Sequence, residues 1–502
     1  MNLSPEQKCA VDSQSPAILM MAGPGSGKTH TLVARTRALV EKGVDPSDMA
    51  VITFTNEAAN ELKARADLPF HYCGTLHGYM LRILQEFGSR IGLSGPLAVI
   101  TEEIRDEMLD ELKTENGFKR GTKKEIKAAL DQGPQSLNRM LKHGQSLSKA
   151  QTVALSYYQR ITRESMVDYD SILHLGLATV KTLDAYDLKI LYLFVDEIQD
   201  SGEIDMNIYD ALPVTDRFYI GDPDQSIYAF RGGDVGFIMD LATYRDDVEV
   251  LSLEDNYRCD RAIATVAQTL IEHNVNRPQK ATRSVTGLEG KFEVRNQFSY
   301  EQEELIWLAT KINGLPDPSE VAVLVRTNKL VEYFRDGLRG HGVDIPRQRF
   351  AQLPIDYKRT LLYLSLLCNP NNDRLIYSWL LETSGKKKAD AAKKEAVDNY
   401  HKLDNTLLNL PTEPDPQDVI GLLRRQGTSN EMLSRIEETA FKLPDHYSLA
   451  ELVSALQMEP PKERGAGVTV STIHSAKGRE WDYVFLPAFE QDVIPSKSKN
   501  AT

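Results

Sequence analysis

Short runs of apolar residues recur along the first half of the chain. They occupy positions 17–21, 49–53, 189–195 and 217–220, and each run ends at polar residues. Unbroken apolar runs of this length are typical of strands that are buried on both faces of a parallel sheet. The segment 31–43, which follows the first run, has helical spacing and ends at a glycine. The pattern therefore predicts a parallel sheet flanked by helices.

A second set of apolar runs and two long helical stretches complete the pattern. The runs at 321–325, 468–471 and 484–486 are strand candidates of a second α/β domain. The stretches between the strands are polar and helical in spacing, so we interpret them as insertions. The predicted fold class is α/β, with two parallel-sheet core domains that are each interrupted by a mostly helical insertion. The predicted boundaries are 1–75 and 174–256 for the first core domain, 76–173 for its insertion, 257–360 and 466–502 for the second core domain, and 361–465 for its insertion.

Composition and charge narrow the class of protein. The 502 residues include 59 Lys and Arg against 72 Asp and Glu, which gives a net charge of −13, and 41% of the residues are hydrophobic. This is an ordinary globular balance, at a length that corresponds to about three domains. The acidic charge excludes a protein that coats nucleic acid through bulk positive charge, but it is compatible with a locally basic groove.

The apolar stretches and the cysteines indicate the compartment. The longest apolar stretches, such as 190–195, are far shorter than the ~20 residues that span a bilayer, and the start lacks a signal-peptide apolar region. We therefore expect a cytoplasmic protein with no membrane partner. The cysteines at 9, 73, 259 and 368 are scattered singly, which argues against a disulfide framework or a zinc cluster.

A glycine-rich segment lies between the first predicted strand and the following helix. It matches the phosphate-binding loop, except that Ala22 stands where the motif has its first glycine. In such a loop, successive N–H groups face the β-phosphate, Lys28 reaches the β- and γ-phosphates, and Thr29 offers its hydroxyl to Mg²⁺. The alternative is a chance glycine turn. The loop residues are Ala22, Gly23, Pro24, Gly25, Ser26, Gly27, Lys28 and Thr29.

An acidic pair, Asp196 and Glu197, follows the apolar run 189–195. A parallel strand delivers the side chains at its carboxyl end to the crevice where ligands bind. We expect Asp196 to hold Mg²⁺ and Glu197 to orient and deprotonate the attacking water, as a general base. An acidic pair alone is weak evidence, because such pairs are common at solvated strand ends, but together with Lys28 it indicates an ATP-hydrolysing site.

Four longer motifs occur in order: DEIQDSG at 196, GDPDQSIYAFRGG at 221, NYRCD at 256 and TIHSAKGREWD at 472. In these motifs the chain resembles the UvrD/Rep-type superfamily 1 DNA helicases, from LSPEQ at Leu3 to VIPSK at Val493. The resemblance implies two RecA-like core domains, a DNA-dependent ATPase activity, and ATP with Mg²⁺ as cofactors.

The resemblance also assigns nucleotide contacts outside the glycine-rich loop. Gln7 is at the position that reads the adenine edge, and an amide can both donate and accept there. Glu480 resembles the family's ribose and coupling contact. The family often has arginine after the loop threonine, where this chain has His30, and a solvated helix residue is the equal alternative at that position.

Three further positions correspond to residues that act on the γ-phosphate and the transition state. Gln225 corresponds to the γ-phosphate sensor, Tyr257 to the residue that packs on the nucleotide, and Arg258 to a transition-state arginine. For each of these, the alternative is a structural polar residue. The resemblance implies that Gln225, Tyr257 and Arg258 link hydrolysis to closure of a cleft between the core domains.

Contacts with single-stranded DNA are implied at seven positions. An aromatic face such as Phe230 can stack on any base for about 1–3 kcal/mol without reading sequence. The family usually has tryptophan there, so Phe230 offers less stacking area, and a core position is the alternative. The seven positions are Phe54, Asn56, Thr75, His77, Tyr228, Phe230 and Arg231.

The segment 113–142 carries eight basic and three acidic side chains in an otherwise acidic chain. One hypothesis is that it lines the path of duplex or single-stranded DNA through phosphate contacts. A solvated helix face is the alternative, and the segment alone leaves both open.

The function that these features predict is an ATP-dependent DNA helicase and translocase. It would move on single-stranded DNA and at junctions with duplex, with 3′-to-5′ polarity implied by the family only, in replication, repair or recombination. The family continues with an arginine-bearing motif beyond the last residue, Thr502. A loading protein or a separately supplied C-terminal segment is therefore a further partner to consider. The alternatives are an ATP- and DNA-binding accessory subunit or a truncated helicase, with little hydrolysis because the last arginine motif is absent, and a kinase or metabolic ATPase unrelated to DNA.

Overall fold

The computed structural model describes residues 3–118, 122–227, 235–244, 247–274, 280–296, 298–346, 356–398, 419–443, 447–458, 467–490 and 493. The strands are β1 (Ala17–Ala22), β2 (Met49–Thr53), β3 (Tyr72–Thr75), β4 (Ala98–Val99), β5 (Met166–Val167), β6 (Tyr192–Asp196), β7 (Asp216–Gly221), β8 (Glu249–Leu253), β9 (Asp255–Asn256), β10 (Arg283–Ser284), β11 (Val321–Val325), β12 (Thr469–Thr472) and β13 (Tyr483–Phe485).

Twelve described α-helices lie in the first half of the chain. They are α1 (Pro5–Asp12), α2 (Lys28–Glu41), α3 (Asn56–Ala66), α4 (Leu76–Phe87), α5 (Glu102–Glu115), α6 (Lys123–Leu130), α7 (Gly133–Lys142), α8 (Lys149–Arg163), α9 (Tyr169–Val180), α10 (Ala185–Leu188), α11 (Glu203–Ala211) and α12 (Val235–Tyr244). Those of the second half are α13 (Arg261–Ile271), α14 (Glu301–Asn313), α15 (Asn328–Gly340), α16 (Tyr357–Cys368), α17 (Asp373–Ser384), α18 (Lys386–Asp398), α19 (Val419–Arg425), α20 (Asn430–Phe441) and α21 (Leu449–Met458).

The chain divides into two compact units by its internal contacts. Unit 1 comprises Met1–Lys291 and Ile355–Glu459, and unit 2 comprises Phe292–Pro354 and Pro460–Thr502. Unit 1 thus contains the start of the predicted second core domain and the helices α16 to α21. The bounds of the six domain segments that the sequence suggests stay predictions.

The main sheet of unit 1 has six strands in the order β3-β2-β6-β7-β1-β8, and all neighbours pair in parallel. Alternate residues of β1 enter two different cores, because Leu19 belongs to one buried cluster while Ile18 and Met20 belong to another. Both faces of the strand are therefore covered, which explains its unbroken apolar sequence. The predicted α/β class and the four predicted strands of this sheet are confirmed.

Two strands of the sheet lack the apolar pattern of the others. The strand β3 reads Tyr-Cys-Gly-Thr, and β8 has exposed positions at Glu249 and Val250. They lie at the two ends of the strand order, so each pairs with a single neighbour of the sheet. Edge strands carry fewer apolar residues than central strands, and this weakens the signal on which the prediction of a strand relies.

The described residues of both predicted insertion segments are mostly helical. The helices α5 to α8 follow one another between the two-residue strands β4 and β5, which pair in parallel. Helices of the second insertion contact this region within unit 1. Ser365 Oγ donates to Val99 O at 2.6 Å, and Arg374 binds Glu111 through two hydrogen bonds of 2.6 and 3.2 Å.

Unit 2 contains a parallel sheet of three strands in the order β12-β11-β13. Its core includes Leu308 of α14 and Phe334 and Leu338 of α15, which lie beside Val323 of β11. The three strands predicted from the second set of apolar runs are confirmed. In the described parts of the two units, no helix has the length and apolar character needed to cross a membrane.

Candidate functional site

The glycine-rich loop occupies the carboxyl end of the sheet. The strand β1 ends at Ala22, and α2 begins at Lys28 with Gly27 as its N-cap residue. Gly25 and Gly27 have φ values of 63° and 82°, a region that glycine enters without steric cost. The Ser26 hydroxyl donates to Gly23 O at 2.7 Å and closes the loop on itself. This strand–loop–helix geometry is what phosphate binding at a helix N-terminus requires.

Gln7 supports the loop from the N-terminal helix α1. Its Nε2 donates to Ser26 O at 3.1 Å, and its Oε1 accepts from Ser4 N at 3.0 Å within a capping box. Gln7 is 4% exposed, and a Cβ atom on Gly27 would lie 2.8 Å from Nε2. The structure therefore shows an amide that anchors the loop. The adenine contact of Gln7 stays a prediction.

The segment after β8 contacts the loop from another direction. Tyr257 N donates to Gly25 O at 2.9 Å, and Asn256 Oδ1 accepts from Arg258 N at 2.9 Å. A Cβ atom on Gly25 would lie only 2.6 Å from the Cβ of Arg258. Both Tyr257 and Arg258 have exposed side chains. The main chain of the predicted transition-state arginine is thus tightly packed against the glycine-rich loop.

The acidic pair follows β6, two places from β1 in the strand order. Asp196 ends the strand, and Glu197 adopts a left-handed conformation with φ 53°. The Nζ of Lys28 lies 3.6 Å from Oε1 of Glu197. A left-handed glutamate is strained, and such strain is concentrated at functional sites. The structure therefore brings together the predicted phosphate-binding lysine and the predicted general base.

Asp196 has the character of a cation ligand. It is 8% exposed, and its Oδ1 accepts from Glu197 N at 3.0 Å. Burial, and then the neighbouring Glu197 carboxylate, raise the pKa of Asp196 above its ordinary value, while Lys28 lowers it. A buried carboxylate beside a second one gains from a cation. Mg²⁺ prefers oxygen ligands and is usually held by one or two carboxylates plus substrate phosphates, so Asp196 with the Thr29 hydroxyl fits it.

The predicted γ-phosphate sensor lies in the turn after β7. The Nε2 of Gln225 donates to Asp222 Oδ2 at 2.6 Å, and Asp224 N donates to Asp222 Oδ1 at 3.1 Å. Lys280 forms an ion pair with Asp222 and lies 3.4 Å from Asp224 Oδ2. The side chains of Lys280 and Asp222 are 2% and 0% exposed. The turn is thus closed by a buried cation.

Sequence reasoning missed two residues of this site. Lys280 is isolated in the sequence from the motifs that supply the other residues of the site, and no spacing signal marks it. Gln199 lies inside the DEIQD motif, where only the acidic pair was predicted to act. Its Nε2 donates to Glu197 and its Oε1 accepts from Asp222 N at 2.9 Å. The motif position was the one available signal for Gln199.

The predicted DNA contacts follow the adjacent strands β2 and β3. Asn56 and Thr75 are 9% and 6% exposed, and Thr75 Oγ caps α4 by accepting from Gly78 N at 3.2 Å. His77 stacks on Tyr169 with ring centroids 3.8 Å apart. Burial lowers the pKa of His77 to about 3.

The structure describes one of the four remaining predicted DNA contacts. Phe54 is half-buried after β2, whereas Tyr228, Phe230 and Arg231 lie outside the described residues.

Two further nucleotide candidates lie in different units. Glu480 belongs to unit 2, where its side chain is exposed, and His30 lies in the first turn of α2. The roles of all these residues stay predictions.

The basic segment 113–142 is divided among α5, α6 and α7. Part of its charge is paired locally, because Lys113 binds Asp110 at 2.9 Å and Lys123 binds Asp106 at 2.7 Å. Lys119 and Arg120 lie outside the described residues. The proposed DNA path along this segment stays a prediction.

The sequence matches known protein families in residues of both units. Residues 3–244 match the UvrD/REP helicase N-terminal domain, and residues 251–410 and 386–502 match the UvrD-like helicase C-terminal domain. ATP-dependent DNA helicase srs2 of Schizosaccharomyces pombe is 25% identical over 98% of this chain and 68% of its own length. The ATP-dependent DNA helicases PcrA of Staphylococcus epidermidis and of Bacillus subtilis are 26% and 25% identical, each over 98% of this chain and 78% of their own length. The resemblance carried by the motifs is confirmed.

Proposed function

This chain belongs to the UvrD-like helicase family and is an ATP-dependent DNA helicase, and we propose that it moves along single-stranded DNA with 3′-to-5′ polarity. The observation that carries the proposal is the arrangement of the candidate residues along one edge of the main sheet. Parallel strands all present their carboxyl ends at the same edge, where ligands bind. The residues that follow β6, β7, β1 and β8 are the nucleotide candidates, and those that follow β2 and β3 are the DNA candidates.

The carboxyl edge of the sheet thus has two regions. The nucleotide edge comprises the residues 23–28, 196–199, 222–226 and 256–258, and the DNA edge comprises 54–56 and 75–77. In the strand order β3-β2-β6-β7-β1-β8 the two sets of strands are contiguous, and β2 is the direct neighbour of β6. A change at the nucleotide edge can therefore reach the DNA edge through a single pair of hydrogen-bonded strands.

ATP binding at the nucleotide edge uses groups with distinct roles. The N–H groups of the glycine-rich loop and of the first turn of α2 bind the phosphates, and Lys28 reaches the β- and γ-phosphates. Thr29 and Asp196 would hold Mg²⁺, which would neutralise charge that develops on the phosphates. Gln7 holds Ser26 in place, so that the loop keeps its shape before nucleotide arrives.

Hydrolysis then requires an oriented water. Glu197 accepts a proton from the attacking water, and the Oε1 atom of this base lies 3.6 Å from the Nζ of Lys28. The base therefore faces the place where the lysine binds phosphate. Gln225 and Arg258 act on the γ-phosphate and on the charge of the transition state, as the resemblance implies.

DNA movement follows from closing and opening around the nucleotide. The residues of the DNA edge, together with Tyr228, Phe230 and Arg231, contact the strand, and stacking on aromatic faces makes the grip independent of sequence. We propose roles in DNA replication, repair or recombination, at junctions of single-stranded and duplex DNA. A loading protein or a separate C-terminal segment is a further proposed partner.

The test is steady-state ATP hydrolysis with Mg²⁺, with and without single-stranded oligonucleotide. We expect DNA to raise turnover many-fold, and Glu197→Gln to lower kcat by about 10²- to 10⁴-fold, as loss of a general base does. Lys28→Ala should abolish turnover, whereas Lys42→Ala at the opposite, exposed end of α2 should leave it unchanged. A rate of ATP hydrolysis that does not change when single-stranded DNA is added would contradict the proposal.

Polarity is tested by strand displacement on duplexes with either a 3′ or a 5′ single-stranded tail. Unwinding that depends on the 3′ tail supports the proposed direction. Unwinding that depends on the 5′ tail would overturn the direction and leave the helicase activity intact.

A further inference from the structure

Gln199 lies at the centre of the nucleotide edge, in the turn Ile198–Asp200 that follows the predicted base. Its side chain is 0% exposed, and both ends of its amide are hydrogen-bonded. The Nε2 atom donates to Oε2 of Glu197, and the Oε1 atom accepts from Asp222 N at 2.9 Å. One planar amide therefore joins the base after β6 to the turn after β7.

The backbone adds a third connection between the same two segments. Ser226 Oγ donates to the carbonyl oxygen of Gln199 at 3.2 Å. Gln199 thus contacts the first and last residues of the turn 222–226, which carries Gln225. The turn and the base cannot move independently while these bonds persist.

Gly221 makes the approach of this amide possible. A Cβ atom at position 221 would lie 2.3 Å from the Oε1 of Gln199 and 2.9 Å from the Cγ2 of Ile198. Real Cβ atoms essentially never come so close to another heavy atom. The end of β7 is therefore shaped to admit the Gln199 side chain.

The two oxygens of Glu197 have different surroundings as a result. Oε2 accepts from the amide of Gln199, whereas Oε1 faces the Nζ of Lys28 at 3.6 Å. The amide thereby selects Oε1 as the oxygen that is turned towards the phosphate-binding lysine. A base that must accept a proton from one positioned water needs this control of orientation.

We propose that Gln199 is a positioning residue for ATP hydrolysis, which orients Glu197 and makes its orientation depend on the turn 222–226. The inference rests on the proposed function. The turn leads directly into the positions 228, 230 and 231 that are predicted to contact DNA. Through Gln199, DNA that is bound to the residues following this turn increases the rate of ATP hydrolysis.

The test compares two substitutions that remove different parts of the amide. Gln199→Met keeps the size and removes both hydrogen bonds, whereas Gln199→Glu keeps an acceptor for Asp222 N and replaces the amide donor by a carboxyl group that competes with Glu197 for one proton. We expect both to lower the DNA-stimulated kcat by about 10- to 100-fold, the range of a lost hydrogen bond to a charged group. The KM for ATP should stay within about twofold, because Gln199 does not touch the phosphate-binding loop in the described contacts.

A double substitution separates positioning from a merely structural role. In a Glu197→Gln background, Gln199→Met should cause no further loss of kcat, because the base that the amide orients is already absent. A merely structural role predicts that the two losses add.

Asn372→Ala is the matched control for loss of a buried amide. The Asn372 amide also bridges two segments, because Nδ2 donates to Glu164 O at 3.1 Å and Oδ1 accepts from Leu375 N at 3.1 Å. It lies among the insertion helices, so this variant should lose thermal stability and keep the wild-type kcat and KM for ATP.

The outcomes distinguish the inference from the function on which it rests. If DNA does not change the rate of ATP hydrolysis by the wild-type protein, the proposed function is overturned and the inference falls with it. A DNA-stimulated wild type together with Gln199 variants of unchanged kcat would overturn the inference alone. Loss of kcat at an unchanged KM for ATP, in a Gln199 variant whose urea-induced unfolding shows that it is folded, supports it.

Discussion

The nucleotide edge and the DNA edge share one sheet but are built differently. At the nucleotide edge, side chains bind groups that are distant in sequence: Gln7 binds Ser26, Lys28 faces Glu197, and Lys280 binds Asp222. At the DNA edge, Thr75 caps the helix that begins beside it, and His77 stacks on Tyr169, 92 residues away along the chain. The contrast indicates that the candidate nucleotide site is organised by several tertiary contacts before ligand arrives, whereas the DNA edge combines a tertiary contact with a local helix cap.

The largest effect is expected from removal of the buried cation Lys280, which pairs with Asp222 of the nucleotide edge. Lys280→Met should lower the free energy of unfolding by about 3–5 kcal/mol, because it leaves the carboxylate of Asp222, which is 0% exposed, without its ion partner. Urea-induced unfolding measures the change. The control is Lys123→Met, since Lys123 binds Asp106 with a side chain that is 88% exposed, and it should behave as wild type. Equal behaviour of both variants would show that the Lys280 pair is not structural.

The second prediction tests the close approach of the glycine-rich loop to Arg258. Gly25→Ala adds a Cβ atom 2.6 Å from the Cβ of Arg258 at a φ of 63°, so the loop must shift. We expect ATP affinity to fall by about 10- to 100-fold, which corresponds to strain of roughly 1–3 kcal/mol. Gly117→Ala is the matched control, because Gly117 has a φ of 64° and open space around it. Fluorescent nucleotide titration compares them, and unchanged affinity for Gly25→Ala would refute the tight packing.

The third prediction concerns the anchor at Gln7. Gln7→Leu removes the capping box with Ser4 and the hydrogen bond to Ser26, which should cost about 0.5–2 kcal/mol of stability and raise the KM for ATP several-fold. Gln151→Leu removes an equivalent capping box with Ser148 in α8. The control should show the same order of destabilisation with an unaltered KM. If the KM for ATP is the same in the Gln7→Leu and Gln151→Leu variants, the role of Gln7 is only to cap the helix α1.

The smallest effect at neutral pH is expected at the DNA edge. Burial holds the pKa of His77 at about 3, below its ordinary value of 6.5, so the unfolded chain takes up this proton first as the pH falls. His77 therefore costs stability progressively below pH 6.5, and His77→Phe should flatten the loss that wild type shows between neutral pH and about pH 5. Unfolding by urea at several pH values measures it, with the exposed His143→Phe as control.

The variant His77→Phe also tests whether His77 contributes positive charge to DNA binding at the DNA edge. A neutral His77 brings no positive charge to a phosphate at neutral pH, so His77→Phe should leave the salt dependence of DNA binding unchanged. Oligonucleotide affinity measured at two salt concentrations gives the answer. A weaker salt dependence in the variant would mean that DNA binding favours the protonated form of His77.

Sequence patterns were sufficient for the parts of the site that depend on consecutive residues. The glycine-rich loop and the acidic pair after β6 were predicted from local sequence, and the motif around Gln225 was predicted from the family resemblance. All three lie at one sheet edge in the structure. Sequence patterns failed where partners are distant. Nothing near Lys280 in the sequence points to Asp222, 58 residues away along the chain.

By itself, the sequence determined the α/β class, the strands of the sheet centre, the family and the residue types of the nucleotide edge. These follow from apolar runs that must be buried on both faces, and from motifs whose backbone geometry is local. Only the tertiary structure decided which oxygen of Glu197 faces Lys28 and that Gln199 and Lys280 hold the turn 222–226. Such contacts depend on the strand order and on buried polar groups that find distant partners, and a linear pattern of hydrophobic and polar positions carries neither.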